Sequence, residues 1–203
     1  MSSATRPLVI ATAFAASLVV GLLVMFWAMG GVSKVAQPAA IGGPFQLTDQ
    51  SGKTVTDKNL KGKPTLIFFG YTHCPDVCPT ELQAISLALD TLGAAADAVQ
   101  PLFITIDPER DTPARLADYV SSFHPRLIGL TGPLPAIRKT AIAYRVFFSK
   151  PGVAAPADYP VDHTGFIYLV GKDGRYLGFL PPGLSPDQIV EAIGTQLDSR
   201  TEQ

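Results

Sequence analysis

Past Met29 the chain has no methionine and no tryptophan; all three methionines and the single Trp27 lie at or before that position. A thioether is therefore excluded as a ligand or redox group in everything that follows. Only two cysteines are present, so no disulfide framework exists and at most one intrachain bridge can form. Charged residues make up 16% of the chain, with a formal net charge of -1. No basic excess or acidic block is left to recruit nucleic acid or a charged surface. Histidine is scarce, with three copies, and no internal repeat occurs. At 203 residues the chain can hold one sizeable core and an appendage.

What is abundant is apolar, and much of it lies in one run. Leu8 to Met29 carries no charge, and only Thr12 and Ser17 interrupt it with polar groups. A bilayer span needs about 20 such residues. Phe26 and Trp27 stand near its far end, where amphipathic rings favour the headgroup level. A cleavable signal has a shorter apolar region of about 7–15 residues and a small-residue site behind it; no such site follows Met29. No cysteine follows to carry a lipid. The run is read as a single transmembrane helix over 8–29, with a cytoplasmic tail at 1–7 and the remainder outside. Residues 30–43, GGVSKVAQPAAIGG, are small, glycine-rich and suited to a flexible linker.

From residue 44 to 203 the pattern is that of one α/β domain. FQLTDQSGKTVT reads as a hairpin. TLIFFGY, 65–71, is a continuous apolar run suited to a strand buried on both faces. Leu82, Ile85, Leu89 and Leu92 fall at helical spacing, and Gly93 closes that helix. A second buried strand is expected over 102–106. Thr112 and Pro113 form an N-cap and first helical residue, with Leu116, Tyr119, Val120 and Phe123 on one face. A helix is expected over 134–148, then a hairpin of 166–170 and 175–180 about Gly171–Gly174. Last comes a helix from the Ser185/Gln188 capping box to about Leu197. The order is that of a thioredoxin-like domain: a central mixed sheet flanked by helices, with an N-terminal hairpin.

Both cysteines fall between the buried strand and the helix, in GYTHCPDVCPT. Proline is tolerated only in a helix's first turn, so the helix is expected to start at Pro79 with Cys78 as its N-cap. Unpaired N–H groups and the positive end of the helix dipole bias both thiols toward thiolate. Three intervening residues permit a disulfide and also let both sulfurs face one external point. Thiolates suit Cu(I), zinc or iron–sulfur sites, and two sulfurs alone seldom complete one. His124, before Pro125 at a helix end, fits a role on the last carbonyls. His73 adjoins Cys74 and should point to the opposite face. His163, in VDHTGF before a buried strand, lies beside the cysteine turn in a thioredoxin-like fold, with Asp162 next to it to steer the ring or tune its charge. Read from residues alone, a lone histidine before a strand is more often structural, and the third ligand stays open.

GYTHCPDVCPTEL, then TIDPERDTP, then YPVDHTGFIYLV, together with the single N-terminal anchor, resemble the Sco/SenC family of membrane-tethered copper proteins. The likeness covers most of residues 44–198. Cys74-Pro75-Asp76-Val77-Cys78-Pro79 matches its CPDxCP element, and Asp162-His163 its third block. The resemblance implies one copper ion held by Cys74, Cys78 and His163, Cu(I) preferred and Cu(II) possible, and passed to the binuclear copper centre of cytochrome c oxidase during assembly. Its expected partners are the oxidase's copper-binding subunit, an upstream copper donor and a thiol reductase that restores the dithiol. The middle block, Asp107-Pro108 with Arg110-Asp111-Thr112, is expected to serve folding rather than ligation. Since only residues 1–7 precede the span, a bacterial inner membrane with the domain in the periplasm is expected.

Three rivals use the same sulfurs. A thiol–disulfide reductase needs only the cysteine pair. A peroxidase similar to peroxiredoxins would need a threonine and a proline where Pro75 and Tyr71 stand. A structural zinc site takes four ligands where three are at hand.

Overall fold

The computed structural model describes residues 5–28, 40–150 and 159–198. Two units separate along the chain, Met1–Ala39 and Ala40–Gln203. In the first, α1 (Thr5–Ala28) is one continuous helix with exposed apolar side chains such as Phe14, Leu18 and Leu22. Among the described residues no helix is long and apolar enough to cross a membrane. Met29 and most of the expected linker lie outside the described residues.

The second unit is the expected thioredoxin-like α/β domain. In chain order it runs β1 (Gln46–Asp49), β2 (Thr54–Thr56), β3 (Thr65–Gly70), α2 (Val77–Leu92), β4 (Gln100–Thr105), α3 (Pro113–Val120), β5 (Ile128–Thr131), α4 (Leu134–Ala143), β6 (Phe148–Ser149), β7 (Asp162–His163), β8 (Ile167–Val170), β9 (Tyr176–Leu180) and α5 (Pro186–Asp198). Seven strands form a mixed sheet in the order β2-β1-β5-β4-β3-β8-β9, while β6 and β7 pair apart from it.

The apolar run at 65–71 becomes the central strand β3. It is paired in parallel with β4 and antiparallel with β8. Leu66, Ile67, Phe68 and Phe69 are fully buried, each stabilising the fold by about 1.5–3 kcal/mol. One face meets α2, where Phe68 stacks with Phe103; the other meets Tyr144 and Tyr168, 5.7 Å from the Phe69 ring. Helices α2 and α5 pack together, and α3 covers β5.

Local signals held where chemistry was explicit. The Thr112 hydroxyl accepts from Arg115 N at 3.3 Å. The Ser185 and Gln188 side chains each accept from the other's backbone N–H. Four elements differ from expectation. Helix α3 ends at Val120, so Phe123 lies beyond it. Helix α2 starts at Val77, not Pro79, with Asp76 as N-cap; the first-turn N–H groups have no helical partner, so a proline at the third helical position loses nothing. Helix α4 stops at Ala143 because Arg145 turns the chain at φ 59°, freeing Phe148 to pair with His163. Strand β5 is an element that the helix-after-helix reading omitted.

Gly70, at the end of β3, has no room for a side chain: a Cβ there would stand 2.8 Å from Cys78 Sγ and 2.9 Å from the Phe103 ring. Gly70→Ala should therefore cost about 1–3 kcal/mol of stability through overpacking, read from urea unfolding. A midpoint equal to wild type would show that the sulfur yields freely.

Candidate metal centre

The chain leaves β3 at Gly70 and turns, with Cys74 N donating to the Tyr71 carbonyl at 3.2 Å. Cys74 is half-buried in this turn and Cys78 fully buried as the second residue of α2. The Cys78 N–H, one of the unpaired donors of the helix start, points at Cys74 Sγ at 3.4 Å. The three-residue spacing thus puts the Cys74 sulfur over the start of the helix, within 4.8 Å of the Cys78 sulfur.

His163 arrives from β7, held by its pairing with Phe148. Its ring stands edge-on to Phe68 and Tyr71, at centroid distances of 6.2 and 5.9 Å. Nδ1 lies 3.0 Å from the Thr164 carbonyl and Nε2 lies 3.5 Å from Cys78 Sγ. The carbonyl can only accept, so Nδ1 carries a proton and Nε2 is the ring nitrogen turned toward the sulfurs. One donor atom from each of Cys74, Cys78 and His163 falls within 4.8 Å of the others. Two thiolates and an imidazole suit a soft ion, so the group could hold copper. An open cleft of about 370 Å³ borders it, lined by Phe147, Phe148, Ser149, Asp162, His163 and Thr164.

The protons on the sulfur pair are unevenly held. A hydrogen bond from the Cys78 thiol, with support from His163 and the N–H groups of Cys78 and Asp76, outweighs burial and brings the Cys74 thiol down to about 3. The same contact and its burial push Cys78 well above the ordinary thiol range, with Cys74 and Asp111 adding negative charge nearby. The expected lean of both thiols toward thiolate therefore holds for Cys74 alone; burial and the neighbouring sulfur turn Cys78 the other way.

The remaining residues singled out from sequence fall outside this group. His73 lies 3.2 Å from Thr72 Oγ1 and takes no part. His124 does not sit on helix-end carbonyls. Its backbone N–H donates to Ser86 Oγ at 3.1 Å and its Nδ1 accepts from Arg126 N at 3.2 Å. Asp162 is exposed, and the ring's Nδ1 partner is the Thr164 carbonyl rather than this carboxylate. Asp107 and Asp111 are fully buried but supply no donor atom to the group. Thr164 and Gly70 act on the site and were not singled out; a backbone carbonyl and a missing side chain leave no residue-type signal.

A family model described as SCO1/SenC matches residues 33–198. Protein sco1 of Schizosaccharomyces pombe is 41% identical over 166 residues, which is 80% of this chain and 63% of that protein. The chain spans roughly half to two thirds of the length of the curated relatives it matches. Among solved structures, Bradyrhizobium japonicum ScoI with copper bound is 53% identical with a TM-score of 0.72, covering 77% of this chain and 99% of that one. BsSco, described with a disulfide switch and as a member of the Sco family of cytochrome c oxidase assembly proteins, is 26% identical with a TM-score of 0.61, covering 82% and 99%.

The uneven proton sharing has a kinetic signature. A free thiol loses alkylation rate about tenfold per pH unit below its ordinary value near 8.5. Cys74, with its value lowered to about 3, should keep a nearly flat rate from neutral pH down to about 4. Cys78→Ala removes the largest cause of the lowering and should move the fall-off of Cys74 up toward the ordinary range. Mass spectrometry of alkylated Cys74 against pH checks this, and a wild-type profile that falls from pH 8 downward contradicts it.

Proposed function

This chain belongs to the SCO1/SenC family, and from that premise we propose that it is a membrane-anchored copper chaperone that delivers one copper ion to the binuclear copper centre of cytochrome c oxidase during assembly. The observation that carries the reading is the convergence of Cys74, Cys78 and His163, each with a donor atom within 4.8 Å of the others. Copper is the cargo here. Cys74, half-buried and held as thiolate, offers the entering Cu(I) its first sulfur. Cys78 releases its proton as the ion binds, so uptake is coupled to proton release. His163 Nε2 completes a three-donor set of the soft kind that Cu(I) favours; Cu(II) is the second form it would hold. Asp162, exposed beside the ring, adds negative charge at the rim.

Anchoring is proposed from the uncharged run Leu8–Met29 and from the exposed apolar side chains of α1. A bacterial inner membrane with the domain in the periplasm fits that run. In an oxidising compartment the dithiol needs a thiol reductase to restore it, and the ion needs an upstream donor. Tethering restricts the search for the oxidase's copper-binding subunit to one surface.

The lowered Cys74 thiol favours a second reading, a thiol–disulfide reductase acting on the oxidase's cysteines. In that reaction Cys74 thiolate attacks a partner disulfide and releases one partner thiolate. Cys78 then displaces the other, so the partner gains two electrons and the Cys74–Cys78 disulfide forms.

Anaerobic titration separates the two. The reduced chain should take up one Cu(I), and His163→Ala should weaken binding by at least about a hundredfold, more than loss of a supporting residue does, while exchange with a model disulfide persists. Cys74→Ala and Cys78→Ala should abolish both. Copper affinity unchanged in His163→Ala would remove the basis of the chaperone assignment and leave the reductase.

A further inference from the structure

Strand β7 is a weak support for a ligand. It pairs with β6 at Phe148–His163 and Ser149–Asp162, outside the seven-stranded sheet, and Thr164 N extends the pairing by donating to the Phe147 carbonyl at 3.0 Å. An isolated two-stranded ribbon is marginal in water, so His163 calls for further support beyond the rings of Phe68 and Tyr71 and the bond from Val161 N to Tyr71 Oη at 3.2 Å.

The turn between β4 and α3 supplies it. Asp107 is fully buried. Its carboxylate accepts from Lys150 Nζ and Arg110 Nε and from Tyr159 Oη at 3.0 Å. Arg110 lies flat over the Tyr159 ring, 3.7 Å from its centroid, and donates to the Tyr159 carbonyl at 3.0 Å. Lys150 directly follows β6 and Tyr159 shortly precedes β7, so Asp107 is tied to both flanks of the ribbon that carries His163. A carboxylate buried this deeply is tolerable only when paired and hydrogen-bonded, and here the pairing reaches across the molecule.

Asp111, at the other end of the same turn, is also fully buried. It accepts from Thr72 N at 3.0 Å, Thr72 Oγ1 at 2.6 Å and Thr105 Oγ1 at 2.6 Å. Thr72 opens the turn that carries Cys74. The turn is itself closed by Asp111 N donating to the Asp107 carbonyl at 2.9 Å.

We propose that the 107–111 turn is a positioning element of the metal centre: Asp107 holds the ribbon bearing His163, Asp111 holds the turn bearing Cys74, and together they set the gap between sulfur and imidazole. This rests on the reading of Cys74, Cys78 and His163 as the copper site. Neither aspartate touches the ion; each acts through the ligand it holds.

The test uses the full chain, reduced and kept in detergent, as wild type, Asp107→Asn, Lys150→Met and Thr72→Val. Three readouts are taken: the metal-free NMR signals of the His163 ring, the anaerobic Cu(I) affinity, and the reduction potential of the Cys74–Cys78 pair. Asp107→Asn and Lys150→Met should move the ring signals away from positions set by the edge-on Phe68 and Tyr71 rings. They should weaken Cu(I) binding by about 10–100-fold and leave the potential at the wild-type value. Thr72→Val should do the reverse, shifting the potential with the ring signals in place. Should Asp107→Asn not fold, Lys150→Met, which keeps the Asp107–Arg110 pair, carries the test. Ring signals unmoved in Lys150→Met, or all readouts moving together in every variant, would overturn the proposal. Wild type that takes no copper would sink the function instead, and the metal-free ring signals would still decide on Asp107.

Discussion

Cys78 Sγ and His163 Nε2 approach to 3.5 Å across 85 residues of chain, and strand direction makes that contact possible. Strand β8 runs antiparallel to β3, with Phe68 opposite Ile167. The chain therefore enters β8 at the same end of the sheet where it leaves β3. Strand β4 runs parallel to β3, with Gly70 opposite Thr105 and Ile106 N bonded to the Gly70 carbonyl at 2.8 Å, so its following turn emerges there as well. Three segments that carry the chemistry, the cysteine turn, the 107–111 turn and the approach to β8, meet because one central strand has a parallel neighbour on one side and an antiparallel neighbour on the other. This is the carboxyl-end crevice in which open α/β sheets place their ligands.

That meeting point also governs the sulfur chemistry. Cys78 is wedged between β3 and α2, where glycine at position 70 leaves its sulfur just enough room. Burial there disfavours its thiolate, while Cys74 collects the N–H of the helix start and the Cys78 thiol. Within the pair the proton thus favours Cys78 and the negative charge Cys74. Such a pair can bond a soft cation by losing the proton, or form a disulfide by losing the proton and two electrons. The two outcomes compete for the same atoms, so a copper site of this kind depends on whatever keeps its dithiol reduced.

Legibility in the sequence followed the range of the interactions. The buried strand over 65–71, the Thr112 N-cap, the Ser185 capping box and the hairpin at 171–174 rest on neighbouring residues, and each was readable. Strand β5 was not: Ile-Gly-Leu-Thr is short, interrupted by glycine, and owes its state to β4 and β1 alongside it. The start of α2 was misplaced by two residues because a first-turn proline is compatible with several starts. His163 was nominated from the residues and joined to the cysteines by family likeness. The identity of its Nδ1 partner was hidden, since a backbone carbonyl at Thr164 has no sequence signature. Asp107 and Asp111 could be read as strand-end and helix-start residues respectively. Their ties to Lys150, Tyr159 and Thr72 span roughly 40–50 positions, and no periodicity reports such a distance.

The three donors differ in how the fold holds them. Cys78 lies in a helix and against the sheet, so moving its sulfur means disturbing a close-packed core. Cys74 lies in a half-buried turn. His163 rides beside an open cleft on a short ribbon whose flanks are tied to the buried Asp107. Of the three donors, the imidazole borders the open cleft and the Cys78 sulfur lies deepest.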